Sequence, residues 1–242
     1  MKYIKIMIFL MLVFTSCLLI CCSTNNQKVL EEEIVENVKE NEKDSVVDDA
    51  ARYKWNSEPY GKDYIRWAKE IARLSKVYPN LVALSIDDFI LSNLDTFTPE
   101  YLGEMIKEFD KVNSNLSFIP CVYYDQVTPD FVNKYSFLID GILLPYRSES
   151  DVMNLQNPDL VQSEVTHIKS LFKEEMPIYI DVYSSAHSKL GASTPAYVEK
   201  VIKNGGKYGD GILIYVHPNP STESEKYKII KDEFARLSNL KK

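Results

Sequence analysis

The stretch LVALSIDDF, residues 81–89, begins as an apolar run and ends on two adjacent carboxylates, Asp87 and Asp88. Pro79-Asn80 bounds it on one side and the acids on the other, as expected of a short strand buried on both faces. Strands of that kind belong to parallel sheets, where crossover helices cover the faces. The acids then fall at the carboxyl end, where parallel α/β sheets place their sites.

Working outward, similar runs occur at 116–124, 139–146, 177–183 and 211–216. Helical patterns lie between them. Thr98-Pro99, Thr128-Pro129, Asn157-Pro158 and Thr194-Pro195 each set a capping side chain before a proline, a helix-start signal. Leu102, Met105, Ile106, Phe109 and Val112 form a helical stripe after the first, and Val161, Val165, Ile168 and Phe172 another after the third. Gly205-Gly206 is the expected stop of the fourth helix. A leading helix (Tyr64, Trp67, Ile71, Leu74) precedes the first run, and a closing one (Tyr227, Ile230, Phe234, Leu237) ends the chain.

The order is a helix followed by five βα units, which implies an α/β fold with a parallel sheet. An internal echo, IDGILLPY at 139–146 and GDGILIYV at 209–216, suits a (β/α) barrel built from similar units. Residues 53–242 are fewer than the about 250 that an eight-stranded barrel usually takes. The expectation is therefore a TIM-barrel-like domain, shortened or incomplete. The alternative is an open doubly wound parallel sheet.

Reading the carboxyl ends of the runs gives Asp87 and Asp88; Tyr123, Tyr124 and Asp125; Tyr146 and Arg147; Asp181 and Tyr183; Tyr215 and His217. Asp140 and Asp210 precede their strands and read as turn residues. No GxGxxG or GxxxxGK loop follows a strand, so the usual nucleotide sites are excluded. No HxH or HExxH spacing occurs, and a set of Asp87, Asp88 and His217 is only a weak metal candidate; no metal or cofactor is expected. Carboxylates among tyrosine rings suit a carbohydrate, and glycoside hydrolysis requires two acids flanking the scissile bond. Adjacent strand residues point oppositely. Asp87 or Asp88 would therefore work with Asp181 as acid and nucleophile or base. Tyr123, Tyr124, Asp125, Tyr146, Arg147, Tyr183, Tyr215 and His217 would hold the sugar. A glycan-binding module without turnover is the alternative.

KEIARLSKVYPNLVALSIDDF (69–89), TPEYL (98–102), FIPCVYYD (118–125), IDGILLPYR (139–147) and IDVYSS (180–185) resemble a group of uncharacterised bacterial proteins. That group is similar to glycoside hydrolases of (β/α) barrel type. The resemblance spans residues 55–220 and implies a sugar-directed barrel with acids at strand ends, matched here by Asp87, Asp88 and Asp181.

The N-terminus adds a location. Lys2 and Lys5 precede an apolar stretch to about Cys22, the pattern of an export signal. The cysteines at its end resemble a lipoprotein signal, with Cys22 as the expected lipidated residue and Cys17 as the alternative. Residues 23–50 hold nine acidic against three basic residues, most of the chain's net charge of −7. The expected organisation is a signal peptide over 1–22, an acidic tether over 23–52 and the domain over 53–242. Such a protein sits in the cell envelope, anchored to the membrane by its lipid. The domain has no basic stripe, so no nucleic-acid partner is expected. Cys121, the remaining cysteine, reads as a small buried residue.

Overall fold

The computed structural model of the chain describes residues 8–12, 63–90, 96–173, 175–187 and 189–239. In chain order these form β1 (Ile8–Leu12), α1 (Tyr64–Val77), β2 (Leu81–Ile86), α2 (Pro99–Asn113), β3 (Ser117–Phe118), α3 (Pro129–Tyr135) and β4 (Ile142–Pro145). Then follow α4 (Val161–Leu171), β5 (Ile178–Tyr183), β6 (Ala186–His187), β7 (Gly191–Ala192), α5 (Pro195–Tyr208), β8 (Gly211–Tyr215) and α6 (Ser224–Asn239). Cys17, Cys22 and the acidic tether lie outside the described residues.

β1, β2 and β3 pair in parallel, and so do β4, β5 and β8. A parallel bridge between Cys121 and Leu143 joins the two sets. There Val122 N–H donates to Leu143 O at 3.0 Å, and Leu143 N–H to Pro120 O at 2.9 Å. Strand order thus follows chain order from β1 to β8, with only the small antiparallel β6–β7 pair set aside. A doubly wound sheet reverses its order at a switch point; this one does not. The winding is of barrel type. Among the described residues no ladder joins β8 back to β1.

The sequence reading counts five strands, whereas the main sheet has six among the described residues. β1 comes from the apolar N-terminal stretch, since a signal core and a buried parallel strand share one composition. The run at 116–124 is also shorter than expected. Pro120 has no N–H to give, and Tyr124–Gln126 turn into a 3-10 helix, so only Ser117–Phe118 and the Cys121 bridge remain extended.

Three caps work as the sequence implies. Thr98, Thr128 and Thr194 accept the N–H groups of Tyr101, Phe131 and Tyr197 at 3.3, 3.2 and 3.1 Å. Asn157-Pro158 does not start α4, which begins at Val161. The Asn157 side chain instead accepts Asp159 N–H at 3.0 Å, and its carbonyl receives the Tyr146 hydroxyl at 2.7 Å. Gly205-Gly206 does not stop α5, which runs through to Tyr208. Gly205 is there for closeness: a Cβ would collide with Ile212 and lie 3.2 Å from the Ile180 Cβ.

The sequence echo has a structural cause. Asp140 donates its N–H to Phe118 O at 2.9 Å and accepts Phe118 N–H on its carboxylate at 2.8 Å. Asp210 repeats this with Ile178, at 2.8 and 2.9 Å. Each aspartate clamps the start of its strand to the preceding one. The glycines after them flank a single ring: a Cβ at Gly141 would lie 3.1 Å from Tyr179 Cε2, and one at Gly211 would lie 2.7 Å from Tyr179 Cδ1.

Alternation along the strands divides the sheet's two faces. Leu84, Phe118, Ile142, Leu144, Ile178, Ile180 and Ile214 join the core shared with the helices. Ala83, Ile119, Cys121 and Leu143 form a second cluster with Tyr179 and Leu213 on the opposite face. The acids rise on this second face.

Candidate functional site

The inner cluster dictates which polar residues follow it. Two residues beyond Cys121 is Tyr123, and two beyond Tyr179 is Asp181. Register pairs Asp181 with Pro145 on β4 and with Leu213 on β8, while Tyr183 lies opposite Tyr215. Cys121 N–H donates to Ile86 O at 2.9 Å, so the thiol sits beside Asp87 at the exit of β2.

Asp181 is 3% exposed. Burial pushes its carboxyl up to about 7, and the charge of Asp87 adds to the rise. Asp87 is itself raised, first by burial and then by Asp88; the Cys121 thiol, hydrogen-bonded to it, works in the opposite direction. Burial raises the thiol far above its ordinary value, with the Asp87 and Asp181 charges contributing. Two carboxyls and one thiol thus share a buried site in which each holds its proton more tightly than in water.

Aromatic rings border the acids. The Tyr123 hydroxyl donates to Asp88 Oδ1 at 2.7 Å, and the Arg147 guanidinium lies 3.8 Å from the centre of its ring. Arg147 is paired with Glu149. The rings of Tyr183 and Tyr215 meet at 4.9 Å and 54°, and Tyr183 contacts His187 edge-on at 5.5 Å. Burial, followed by the Asp87 and Asp181 charges, raises the Tyr215 hydroxyl. Burial and the Arg147 charge hold His187 below its ordinary value, so it is neutral at pH 7.

Among the described residues, three other than glycine have positive φ: Asp88 at 46°, Ser148 at 56° and Val216 at 53°. They follow β2, β4 and β8, all at the carboxyl end of the sheet. Val216 is β-branched, which makes this backbone costly. Its carbonyl is held by the hydroxyls of Ser184 at 2.6 Å and Ser185 at 3.3 Å.

Asp87, Asp88, Asp181, Tyr123, Arg147, Tyr183 and Tyr215 are therefore brought to one end of one face. Four other candidates are placed elsewhere. Tyr146 is fully buried, its hydroxyl donating to Asn157 O and accepting Leu160 N–H at 3.1 Å. Tyr124 bonds His167 Nδ1 at 2.8 Å, against α4. Asp125 is exposed on the 3-10 turn. His217 packs edge-on against Tyr227 of α6 at 5.3 Å. Among the described residues, no group of three or more His, Cys, Asp or Glu side chains is placed to hold a metal.

Two participants escaped the sequence reading. Cys121 was legible from alternation, two positions before Tyr123. Glu149, in the loop RSES, carries no local signal at all. The Tyr123 ring and hydroxyl connect Asp88 to Arg147, and the guanidinium pairs with Glu149.

No family model matches the sequence, and no curated protein does. Among solved structures, the chain is similar to a family 18 chitinase from Crocus vernus at 18% identity and a TM-score of 0.48, covering 72% of this chain and 62% of that one. It is similar to Bacteroides uniformis beta-glucuronidase 2, covalently bound to cyclophellitol-6-carboxylate aziridine, at 11% and 0.47, covering 67% of this chain and 22% of that one. Methylaspartate ammonia lyase from Clostridium tetanomorphum matches at 13% and 0.47, covering 75% and 39%. The chain spans less than two thirds of each of these proteins. Likeness at this level carries no argument about the chain; its strand order and its acids do.

Proposed function

We propose that the chain is a glycoside hydrolase in which Asp181 donates the proton to the leaving oxygen and Asp87 serves as nucleophile or base. One observation carries the reading: Asp181 is a buried carboxyl raised to about 7, with a second carboxyl, Asp87, acting on it. An acid that keeps its proton near neutrality, with a second carboxyl to attack or to activate water, is what this reaction requires. Tyr215 offers its half-buried ring to the apolar face of a sugar, backed by the buried rings of Tyr183 and Tyr123. Asp88, through Tyr123, holds one of those rings in place. On this reading Cys22 carries a lipid, and the acidic segment over 23–52 spaces the domain from the membrane of the cell envelope.

The test uses the full chain in detergent with aryl glycosides and oligosaccharides. Wild type should hydrolyse at least one, at a rate that falls as pH rises through about 7 and Asp181 loses its proton. Asp181→Asn should lower kcat by about 10²–10⁴, the usual worth of a positioned acid. Wild-type activity that survives Asp181→Asn unchanged overturns the assignment.

The 3% exposure of Asp181 favours a second reading, a surface module that holds glycan without cleaving it. Glycan that raises the melting midpoint of wild type with no turnover would select it.

A further inference from the structure

The β6–β7 hairpin follows β5 at the carboxyl end of the sheet, where the acids lie. Loops on either side of β5 hold it. Gln156 Nε2, after β4, donates to Ala192 O at 2.8 Å, and the Ser185 hydroxyl reaches Glu223 Oε2, after β8, at 3.3 Å. His187 stands on this hairpin, its ring edge-on to Tyr183, and Tyr183 in turn meets Tyr215. The Arg147 charge acts on both His187 and Tyr183. The backbone decides which ring nitrogen carries the hydrogen. Lys189 N–H donates to His187 Nδ1 at 3.2 Å, so Nδ1 is an acceptor. The neutral ring therefore has its hydrogen on Nε2. That N–H has no hydrogen-bond partner among the described residues. It is within reach of solvent: the residue is partly exposed, and Gly191 lies opposite it in the hairpin, where a Cβ would meet nothing within 4 Å among the described residues.

We infer that His187 is a specificity-determining residue of the glycan site, giving its Nε2–H to a hydroxyl or carbonyl oxygen of the sugar that rests on Tyr215. The inference rests on the glycan reading above and deepens it, since it adds a directional contact to a site whose other rings offer only an apolar face. A neutral imidazole with Nδ1 already occupied can only donate, so the group it selects is an oxygen acceptor. The hairpin fixes the donor before any ligand arrives: Lys189 sets the tautomer, the Tyr183 ring sets the tilt, and Gln156 holds the returning strand. A bound sugar then gains the hydrogen bond without the cost of ordering the side chain.

The experiment measures Kd and melting midpoint for the full chain in detergent with β-linked glucose oligomers, N-acetylglucosamine oligomers and oligogalacturonates. The probe that wild type binds most tightly is then offered to three variants. His187→Asn keeps an acceptor near the Nδ1 position for Lys189 N–H but does not extend to Nε2. His187→Gln extends that far and carries an amide N–H. His187→Phe keeps a ring against Tyr183 and has no N–H. All three should melt as cooperatively as wild type, because the hairpin is held by other residues. His187→Asn and His187→Phe should bind about fivefold or more weakly, the usual worth of one hydrogen bond, and His187→Gln should stay within about twofold of wild type. A ring that serves only to hold the turn predicts the reverse order for His187→Asn and His187→Gln. An unchanged Kd in His187→Asn or His187→Phe, or a loss in His187→Gln equal to theirs, overturns the role of His187 and leaves the glycan reading standing. No binding of any probe by wild type overturns the glycan reading itself, and the role of His187 with it.

Discussion

Asp181 was conspicuous in the sequence because a carboxylate inside IYIDVY is costly unless something compensates it. The structure shows what it costs. Its folded pKa of about 7 lies above the unfolded value of roughly 3.9. The folded state therefore binds the proton more tightly, and stability is complete below pH ~4 and is lost as pH rises through 7. The loss amounts to roughly 4 kcal/mol at most, at about 1.4 kcal/mol per unit. Asp181→Asn should consequently melt above wild type at pH 8, with the gap closing by pH 4; a gap independent of pH would contradict the burial argument. Glu149 shows the converse limit. A carboxylate in a polar loop announces nothing, and only the left-handed turn at Ser148 brings it to Arg147.

Among elements, the legible features were those written locally. A threonine before a proline needs only its own next three residues to make a cap, and all three such pairs do. Asn157-Pro158 carries the same local signal but is claimed by a distant partner, the Tyr146 hydroxyl. Gly205-Gly206 misleads for the same reason: its role is set by Ile180 and Ile212 on the sheet, not by the helix. The echoed Asp-Gly pairs are likewise tertiary, meeting at Tyr179. Gly211→Ala should cost about 1–3 kcal/mol as an overpacking change. In a Tyr179→Leu background the same substitution should cost clearly less, because the ring it strikes is gone. Equal costs in both backgrounds, measured by denaturant unfolding, would place the glycine's importance elsewhere.

For the whole molecule, the alternation of strands and helices was readable, and the expected barrel-type order is the one the described strands follow, although composition alone does not dictate it. Composition reports that a strand is buried; it does not report beside which strand it lies. The N-terminal stretch makes this concrete, because Ile8–Leu12 pairs with β2 in a segment that also reads as an export signal. The two roles separate by experiment. On the proposed lipoprotein reading, cleavage before Cys22 removes β1 and should leave the β2 amides exchanging faster in the mature chain than in the uncleaved one. A labelled fatty acid should enter wild type and Cys17→Ala but not Cys22→Ala. A chain that takes up no lipid and keeps its β2 amides protected would assign the stretch to the sheet.

The strand order has a consequence for how the molecule comes into being. From β2 onward, every strand of the main sheet docks on the one synthesised just before it, and the aspartates at 140 and 210 fasten two of those junctions. No strand has to wait for a distant part of the chain. The sheet can lengthen residue by residue as the polypeptide emerges, each new βα unit closing over a finished edge, so the interval in which an apolar strand lies bare to its neighbours stays short.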